Sequence, residues 1–486
     1  MNFYPACILL LITSFLFCGA AAAAAHTDDP VSGQPNILFI YVDDWGWKDL
    51  SLAGSRYYET PAIDNLARGG IRFMQAYSAG PNCAPSRASL MTGLYTPRHG
   101  IYTVGTPERG DATKRKLVPV TNRTVLNTGF TTIAEEFKHA GYATSLIGKW
   151  QLGDQRQHAD PSSQGFAHVV GGSPGTSSYF YPYYDERKLA QSPHAGLDNG
   201  NQGEYLTDRL TDEALKFINT HTGKPFFLYL SYFAVHTPIQ GKEALVEKYR
   251  KKPGDKLHHN PEYAAMIESV DQNINRLMLA LESRGLSQNT VVVFYSDNGG
   301  MGVVTSQHPL RGSKGMLYEG GIRVPLIVRW PGRIKPGASE TPVTGVDFYP
   351  TLLELAGIAS PLNISPDGMS FAPLLLGKQL PERDLFWHFP AYLEAYRGDA
   401  SHKEPFRTTP VSVIRSGNFK LLEFYEDGRK ELYNLKQDIG ETTNLAGSNP
   451  AKAEELSQKL AAWKKKVQAP EPTEANPSYL KSQTKK

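Results

Sequence analysis

The chain has 486 residues, of which 40% are hydrophobic and 20% are charged. This is an ordinary globular composition, and the length suffices for one large domain with a smaller one. The 51 basic and 48 acidic residues leave a net charge of +3, which argues against a broad nucleic-acid-binding surface and predicts no nucleic-acid partner.

Residues 1–25 predict a secretory signal peptide. The apolar run Ala6–Leu16 is followed by small residues and then by polar ones. The run is shorter than the about 20 apolar residues of a membrane-spanning helix. The leader has no Lys or Arg, since Lys48 is the first basic residue, and this leaves a retained membrane anchor as the alternative. We therefore expect a secreted or periplasmic protein with no stable membrane span.

Strand-like apolar runs alternate with helix-like stretches, which predicts an α/β sheet flanked by helices. The first run, Asn36–Val42, is too apolar for an exposed face and is typical of a buried strand. It ends in Asp43 and Asp44. Three more runs also end in ionisable or amide side chains: Ala143–Ile147 before Lys149, Phe226–Phe233 before His236, and Val291–Tyr295 before Asp297 and Asn298.

These polar strand ends are expected to converge, because ligands bind outside the carboxyl ends of the strands in open α/β sheets. Each cluster taken alone has a polar loop cap as its alternative. Asp43, Asp44, Asp297 and Asn298 offer hard oxygen ligands, which favours Ca²⁺ or Mg²⁺ over zinc. Adjacent carboxylates repel each other, and a cation would relieve that repulsion. Two unrelated turns are the alternative, since Asp, Asn and Gly are turn formers.

Cys83 is the single cysteine that remains if the leader, with Cys7 and Cys18, is cleaved, so no intrachain disulfide is expected. A buried thiol that acts as a small hydrophobe is the structural alternative. The residues Pro85–Leu94 predict a helix, and Cys83 would lie just before its N-terminus. Free amides and the helix dipole favour an anion there, and the guanidinium fork of Arg87 suits a tetrahedral oxyanion.

The segment CAPSR at Cys83–Arg87 resembles the C-x-P-S-R signature of type I sulfatases, in which an export-linked enzyme oxidises the cysteine to Cα-formylglycine. The resemblance covers nearly the whole mature chain through NILFIYVDDWG, CAPSRASLMTGLYTPRHG, GKWQLG, HTPIQ, YSDNGG, PLRGSKGMLYEGGIRVPLIVRWPG and ELYNLKQDIGETTNLA. It implies the alkaline-phosphatase-like fold: a mixed α/β sheet flanked by helices, with a smaller C-terminal α+β subdomain that contains an antiparallel sheet.

The resemblance also implies roles for individual residues. The implied ligands of Ca²⁺, with Mg²⁺ less favoured, are Asp43, Asp44, Asp297, Asn298 and the modified Cys83. The implied catalytic residues are Cys83, Arg87, Lys149, His236 and Lys314. One hydroxyl of the hydrated aldehyde would attack sulfur, His236 or Lys314 would protonate the leaving alcohol, and the second hydroxyl would expel sulfate. Each position alone has an ordinary alternative, such as a solvated lysine or a helix salt bridge.

Gln151 departs from the family, which commonly has histidine at this place in G-K-W-H-L-G. Glutamine can form hydrogen bonds but does not accept a proton near neutral pH. Three interpretations stay open. Another group, such as a calcium aspartate or His158, performs the expulsion step; Gln151 only orients the diol; or turnover is slow or the ester is different. We expect Gln151 to contact the substrate.

The predicted domain order is a catalytic α/β domain at 34–360, an α+β subdomain at 361–469 and a disordered tail at 470–486. The subdomain contains a predicted hairpin with its turn at Glu426–Gly428 and a predicted helix at Pro450–Val467.

A few residues of this part and of one loop are candidates for sugar binding. His388 is predicted to bond a sugar hydroxyl, and Tyr392 could stack on a sugar ring. Trp387 is expected to pack between the domains. The tyrosine-rich segment 177–188 is expected to be a loop near the pocket mouth, either a sugar platform or a packed cover.

The sequence thus predicts an exported sulfatase that acts on a sulfated saccharide and needs a formylglycine-generating or sulfatase-maturing enzyme as a partner. One alternative is a phosphonate or phosphate ester hydrolase of the same superfamily. Another is a sulfated-glycan-binding protein without turnover. Asn122 and Asn363 begin N-glycosylation sequons, which are used only in a host that glycosylates.

Overall fold

The computed structural model describes residues 1–2, 33–184, 195–221, 223–359, 365–396 and 405–483. The chain divides into two units, 1–33 and 34–486. The predicted signal peptide lies outside the described residues except for its first two positions, and the Asn363 sequon and the end of the tyrosine-rich segment lie outside them as well. None of the described helices is long and apolar enough to cross a membrane.

The unit 34–486 is built on a mixed sheet. Its strands, with a short pair beside them, are β1 (Asn36–Val42), β2 (Ile71–Phe73), β3 (Ala76–Tyr77), β4 (Ala143–Gly148), β5 (His168–Gly171), β6 (Phe226–Ser231), β7 (Thr290–Ser296), β8 (Leu326–Arg329), β9 (Gly337–Ser339) and β10 (Val343–Thr344). The eight-stranded sheet has the order β5-β4-β6-β1-β7-β8-β2-β9, and β10 pairs with β3. The expected mixed α/β architecture is confirmed.

Helices cover both faces of this sheet. They are α1 (Pro61–Arg68), α2 (Cys83–Thr92), α3 (Thr96–His99), α4 (Ile133–His139), α5 (Leu206–Thr220), α6 (Glu243–Lys251), α7 (Pro261–Ser283), α8 (Glu319–Ile322), α9 (Phe348–Leu355) and α10 (Ala372–Leu375). Side chains from the two faces of the sheet enter two separate hydrophobic clusters: Leu38 and Ile40 of β1 belong to one, and Ile37 and Phe39 to the other. A strand buried on both faces has to be nearly continuous in apolar residues, as β1 is from Ile37 to Val42.

The four strands predicted from the sequence are neighbours in the sheet. β4, β6, β1 and β7 lie side by side and all pair in parallel. Their last residues are level, since Val42 pairs with Ser296 and Gly148 pairs with Ser231. The polar residues that follow these strands are therefore brought to one edge of the sheet.

Helix α2 begins at Cys83, two residues before the predicted start. Asn82 is extended, with φ −148°, and takes the N-cap position. The helix ends at Gly93, which has φ +69°. All ten helical residues are buried, so α2 runs through the interior and shows little amphipathic contrast. Cys83 is thus the first helical residue, with its side chain inside the protein.

The C-terminal part forms a second, antiparallel sheet. Its elements are β11 (Leu385–Phe389), β12 (Leu393–Glu394), β13 (Phe406–Thr408), β14 (Val411–Ser416), β15 (Phe419–Phe424), β16 (Lys430–Asn434) and α11 (Pro450–Lys466). The sheet order is β11-β14-β15-β16, and β12 pairs with β13. The predicted hairpin is confirmed as β15–β16, in which Glu423 pairs with Lys430. The predicted helix is present as α11, and its Leu456, Leu460 and Trp463 are buried.

A buried charge cluster joins this sheet to the main one. Lys420 of β15 is 0% exposed and lies 3.0 Å from Glu319 of α8 and 2.8 Å from Glu441. Glu319 also contacts Arg323 and accepts a hydrogen bond from Tyr77 at 2.7 Å. A buried charge without a partner is strongly destabilising, so these groups depend on one another.

Residues 470–483 differ from the predicted disordered tail. They include the short helix α12 (Pro477–Gln483), and Asn476 is 8% exposed. Its side-chain amide donates to the carbonyls of Ala112 and Arg115. Tail disorder was expected from the Pro and Lys content, but two backbone carbonyls elsewhere in the chain bind this segment, and composition does not reveal such partners.

We expect Lys420→Met to destabilise the protein by about 3–5 kcal/mol, because it leaves two carboxylates facing each other in the interior. Equilibrium urea unfolding, followed by circular dichroism, measures the change. Lys436→Met is the matched control, since Lys436 is exposed. A loss below about 1 kcal/mol, the value of a surface pair, would show that the cluster does not couple the two sheets.

Candidate active site

Three aspartates share the carboxyl edge of the main sheet. Asp43 and Asp44 follow β1, and Asp297 follows β7. One oxygen of each lies within 4.8 Å of an oxygen of the other two, and all three are buried. Asp44 has φ +62°, and its backbone N–H donates to Oδ1 of Asp297 at 3.0 Å. The predicted convergence of these acids, 253 positions apart in sequence, is what the structure shows.

Two lysines compensate the first two acids. Nζ of Lys149 lies 2.5 Å from Oδ2 of Asp43, and Nζ of Lys314 lies 2.7 Å from both oxygens of Asp44. Burial alone would raise the pKa of Asp43, but Lys149 and then His236 hold it well below its usual range. Burial likewise opposes the charge of Lys314, yet Asp44 keeps the pKa of this lysine raised. Negative carboxylates and positive ammonium groups therefore lie next to each other along this edge of the sheet.

Arg87 lies behind the carboxylates. Its NH1 donates to Oγ of Ser231 at 2.6 Å and its NH2 donates to Oδ2 of Asp297 at 3.0 Å, while its guanidinium lies 4.9 Å from the ring centre of Tyr41. The side chain is 1% exposed. These contacts hold Asp297 in place. Because Arg87 belongs to α2 and Asp297 follows β7, they link α2 to the end of β7 at this edge of the sheet.

Asn298 adds a carbonyl oxygen to the set. Its Nδ2 donates to Asp44 at 2.8 Å and to the carbonyl of Gly299 at 3.0 Å, whereas its Oδ1 is buried and has no partner among the described residues. Burial, and then the charge of Asp43, raise the pKa of Asp297 to about 8. Crowded carboxylates beside an unsatisfied amide oxygen fit a hard divalent cation, because all are oxygen donors of the kind that Ca²⁺ takes.

Cys83 faces this acidic set. Its Sγ lies 3.4 Å from Oδ1 of Asp43, and one atom each of Asp43, Cys83 and His236 lie within 4.8 Å of one another. Burial and then the charge of Asp43 raise the pKa of the thiol. The thiolate is the nucleophilic form of cysteine, so an unmodified Cys83 is a poor nucleophile at neutral pH.

His236 stands at the rim of the same group. Its Nε2 lies 3.7 Å from Oδ2 of Asp44, and its Nδ1 lies 2.8 Å from the carbonyl of Thr237. Its side chain is 33% exposed, against 12% for Lys314. Burial and the charge of Lys314 lower its pKa, which favours the neutral imidazole near pH 7.

Gln151 lines a cavity of about 260 Å³ next to the start of α2, together with Ala84 and Thr103. Its backbone has φ +69°, and its Oε1 is buried without a partner among the described residues. An unsatisfied acceptor beside a cavity is available to a ligand that donates a hydrogen bond. The position of Gln151 is consistent with the predicted substrate contact, which stays a prediction.

The wall of this cavity is held by Asn122. Its Oδ1 accepts from the backbone N–H groups of Tyr102 and Thr103, and its Nδ2 donates to the carbonyls of Thr103 and Gly105. Asn82, the residue before Cys83, donates to Oγ1 of Thr103 at 2.9 Å. The amide nitrogen of the Asn122 sequon is therefore committed to two backbone carbonyls in the folded protein.

The structure does not support the sugar-binding role predicted for His388. The residue is 2% exposed, its Nδ1 is 2.7 Å from Oγ of Ser412, and its Nε2 is 2.9 Å from the carbonyl of Pro470. Both ring nitrogens are thus used within the C-terminal sheet. Tyr392 is also buried and bonds Glu426.

The structure also shows the surroundings of two further candidates, Trp387 and His158. Trp387 packs on Tyr77 and donates to the carbonyl of Ser78, as expected for domain packing. His158, the suggested substitute base, is exposed and ends a short 3₁₀ helix.

Two residues near the site, Ser231 and Asp49, are not among the residues predicted from the sequence. Ser231 is the last residue of β6, but it lies inside the predicted run Phe226–Phe233, so no sign of a strand end is visible in the sequence there. Asp49 is buried and accepts hydrogen bonds from Tyr263 and Thr305, each at 2.7 Å, which supports the turn after Asp44. Tyr263 and Thr305 are 214 and 256 positions away, so local sequence gives no sign of this network.

Comparison with known proteins agrees with this geometry. Residues 35–358 match the family model described as Sulfatase, and residues 312–469 match the model described as N-sulphoglucosamine sulphohydrolase, C-terminal. A sulfatase of Formosa agariphila is 35% identical, with 92% of each chain covered. N-acetylgalactosamine-6-O-sulfatase of Bacteroides thetaiotaomicron is 29% identical over 89% of this chain and 94% of its own.

A solved structure shows the same fold. The crystal structure of Ps i-CgsB in complex with k-i-k-neocarrahexaose superposes with a TM-score of 0.75 and 28% identity, covering 93% of this chain and 97% of that one. The chain therefore belongs to the sulfatase family, and it is a sulfuric ester hydrolase. The predicted resemblance to sulfatases of the alkaline-phosphatase-like fold is confirmed.

We expect Ca²⁺ to stabilise the wild-type protein, by about 2.7 kcal/mol at a hundredfold excess over its Kd. Asp297→Asn should remove most of this gain, because it deletes one anionic ligand and the partner of Arg87. Calorimetric melting with Ca²⁺, with Mg²⁺ and with chelator measures the effect. Asp212→Asn is the control, since Asp212 is 46% exposed and pairs with Arg276. Equal stabilisation of both variants would place the cation elsewhere.

Proposed function

We propose that this protein is an exported sulfatase that hydrolyses a sulfate ester on a sulfated carbohydrate, with Cys83 converted to Cα-formylglycine. The observation that carries the proposal is the thiol of Cys83 at 3.4 Å from Asp43, enclosed by buried acids and cations. The relatives named as sulfatases and the oligosaccharide in the complex of Ps i-CgsB support the substrate class. The proposed Ca²⁺ ligands are Asp43, Asp44, Asp297, Asn298 and the modified residue 83.

The cations of the site suit a tetrahedral oxyanion. Lys149 and Lys314 are held in place by Asp43 and Asp44, so their ammonium groups are oriented before a ligand arrives. Positive groups that are already oriented stabilise charge on the sulfate oxygens without reorganisation. Arg87 contributes by fixing Asp297 and by adding positive charge behind it.

The chemistry combines a modified side chain with the residues around it. Bound Ca²⁺ would supply a Lewis acid for the sulfate oxygens. The proposed maturation enzyme would take two electrons and two protons from Cys83, and water would replace the sulfur, which leaves as sulfide. The hydrate of the resulting aldehyde carries two hydroxyls. Asp43 is placed to orient a hydroxyl at position 83. His236 and Lys314 both face Asp44, and one of them would protonate the leaving alcohol.

We expect the Cys83 peptide of protein purified with its maturation enzyme to be lighter by about 18 Da than the unmodified peptide. Peptide mass spectrometry measures this change directly. Cys83→Ala should lower sulfate release by more than about 10³-fold, since it removes the attacking group. Chromatographic detection of sulfate released from defined sulfated saccharides measures turnover.

The control is the same protein made without a maturation enzyme, which should fold and bind Ca²⁺ but not turn over. Active protein with an unmodified thiol would overturn the mechanism. An aryl phosphonate hydrolysed faster than the matched aryl sulfate would favour the phosphonate hydrolase alternative. Binding of sulfated saccharides by matured protein without any sulfate release would favour the glycan-binding alternative.

Gln151 gives a second test, because the size of the effect separates two roles. A residue that only orients a group through one neutral hydrogen bond contributes about 1 kcal/mol, so we expect Gln151→Ala to lower kcat by about five- to tenfold. Loss of a general base costs about 10²–10⁴-fold. Steady-state kinetics at several pH values measure kcat. A loss above a hundredfold would show that Gln151 does more than orient.

A further inference from the structure

The strand pair β12–β13 of the C-terminal part lies against the loop that carries Lys314. Oγ1 of Thr408 donates to the carbonyl of Gly315, and the hydroxyl of Tyr396 lies 3.4 Å from the carbonyl of Lys314. Gly315 has φ +89°, and a Cβ atom there would lie 2.5 Å from Nε of Arg407. Glycine is therefore required at 315 for Arg407 to reach this position.

Arg407 is a partly buried cation without a carboxylate partner among the described residues. Its guanidinium stacks on the ring of Tyr396 at 3.9 Å, and its NH1 donates to the backbone carbonyl of Glu394 at 3.1 Å. Its Nε is buried and has no hydrogen-bond partner in the part of the chain that the structure describes. The side chain of Glu394 is engaged by Arg109 at 2.7 Å instead. Burial lowers the pKa of Arg407, so this charge lacks full compensation.

Arg407 is close to the catalytic residue Lys314, because its Nε lies against Gly315, the next residue along the chain. The charge of Asp44 acts on Arg407, and those of Lys314 and Cys83 act on Tyr396. Nε is enclosed against Gly315, but NH2 has no hydrogen-bond partner among the described residues and is not buried. An arginine NH2 group on an aromatic face suits an oxyanion such as sulfate or carboxylate. Arg109, 36% exposed, lies beside it and is paired with Glu394.

We propose that Arg407, stacked on Tyr396 and flanked by Arg109, forms a second anion subsite beside the sulfate that is cleaved. It would bind a sulfate or carboxylate on the neighbouring sugar, so the preferred substrate is a saccharide with two anionic groups. This inference rests on the proposed function. The catalytic residues then bind the sulfate that is cleaved. Arg407, on the strand pair β12–β13, binds the second anion and so selects the substrate.

Three defined disaccharides test the subsite: one with a single sulfate, one with a sulfate on each sugar, and one with a sulfate next to a uronate. We expect kcat/KM of the wild type to be about tenfold or more higher for at least one of the two dianionic disaccharides than for the monosulfated one. Comparison of the disulfated disaccharide with the sulfate–uronate disaccharide shows whether the subsite prefers sulfate or carboxylate. Arg407→Gln should bring the ratio of dianionic to monoanionic kcat/KM to near one, mainly through KM. Arg407→Lys should keep part of it, as a charge without the fork.

Arg284→Gln is the matched control and should leave the ratio unchanged. Arg284 follows α7 and precedes β7, which places it at the amino edge of the sheet, opposite the catalytic group. Equal losses on all three substrates would mean that Arg407 only supports the Lys314 loop, and would overturn the subsite. An unchanged ratio in Arg407→Gln would overturn it as well. If Arg407→Gln does not fold, an unchanged ratio in Arg407→Lys decides against it.

Binding separates this inference from the proposed function. Calorimetry with Cys83→Ala protein measures the affinity for the three disaccharides without turnover. We expect the dianionic preference there too, and its loss in the Cys83→Ala, Arg407→Gln double variant. If no saccharide is hydrolysed but this preference is found, the proposed function fails and the subsite stands. If sulfate is released without the preference, the subsite fails alone.

Discussion

The crowding of carboxylates at one edge of the main sheet is the constraint on which the site depends. Asp43, Asp44 and Asp297 lie within 4.8 Å of one another in the interior, where their mutual repulsion is large. Three cations from separate elements offset this repulsion: Lys149 after β4, Arg87 in α2 and Lys314 before α8. Each element is therefore held at the edge by charge as well as by packing, and the same cations that balance the acids give the site its attraction for an anion.

The strands and their polar ends could be predicted because a strand that is buried on both faces is apolar throughout and stops where polarity begins. β1 and β7 follow this rule, and their bounds agree with the predicted runs to within one residue. His388 shows where this reasoning fails. Its ring nitrogens form hydrogen bonds with Ser412 and with the carbonyl of Pro470, 24 and 82 positions away. No local sequence pattern indicates partners at such distances. Arg407 lies in no motif, and the role proposed for it follows from the lack of a carboxylate partner among the described residues.

The C-terminal sheet takes part in the site as well as in the fold. Lys420 ties β15 to Glu319 of α8, which follows the Lys314 loop, and Thr408 bonds the carbonyl of Gly315 in that loop. A change in the packing of this sheet would therefore move an ammonium group that faces Asp44. If Arg407 selects the substrate as proposed, substrate selection and catalytic geometry are linked through the same short stretch of backbone.

The pairing of β1 has a consequence for when position 83 can be altered. β1 is enclosed by β6 and β7, and its last residue pairs with Ser296, so the central strand has no complete set of neighbours until more than half of the polypeptide has been made. In the finished fold Cys83 is 2% exposed. An enzyme that performs the proposed oxidation would therefore have to meet a chain that is still open, and the late arrival of β7 in synthesis would prolong that period.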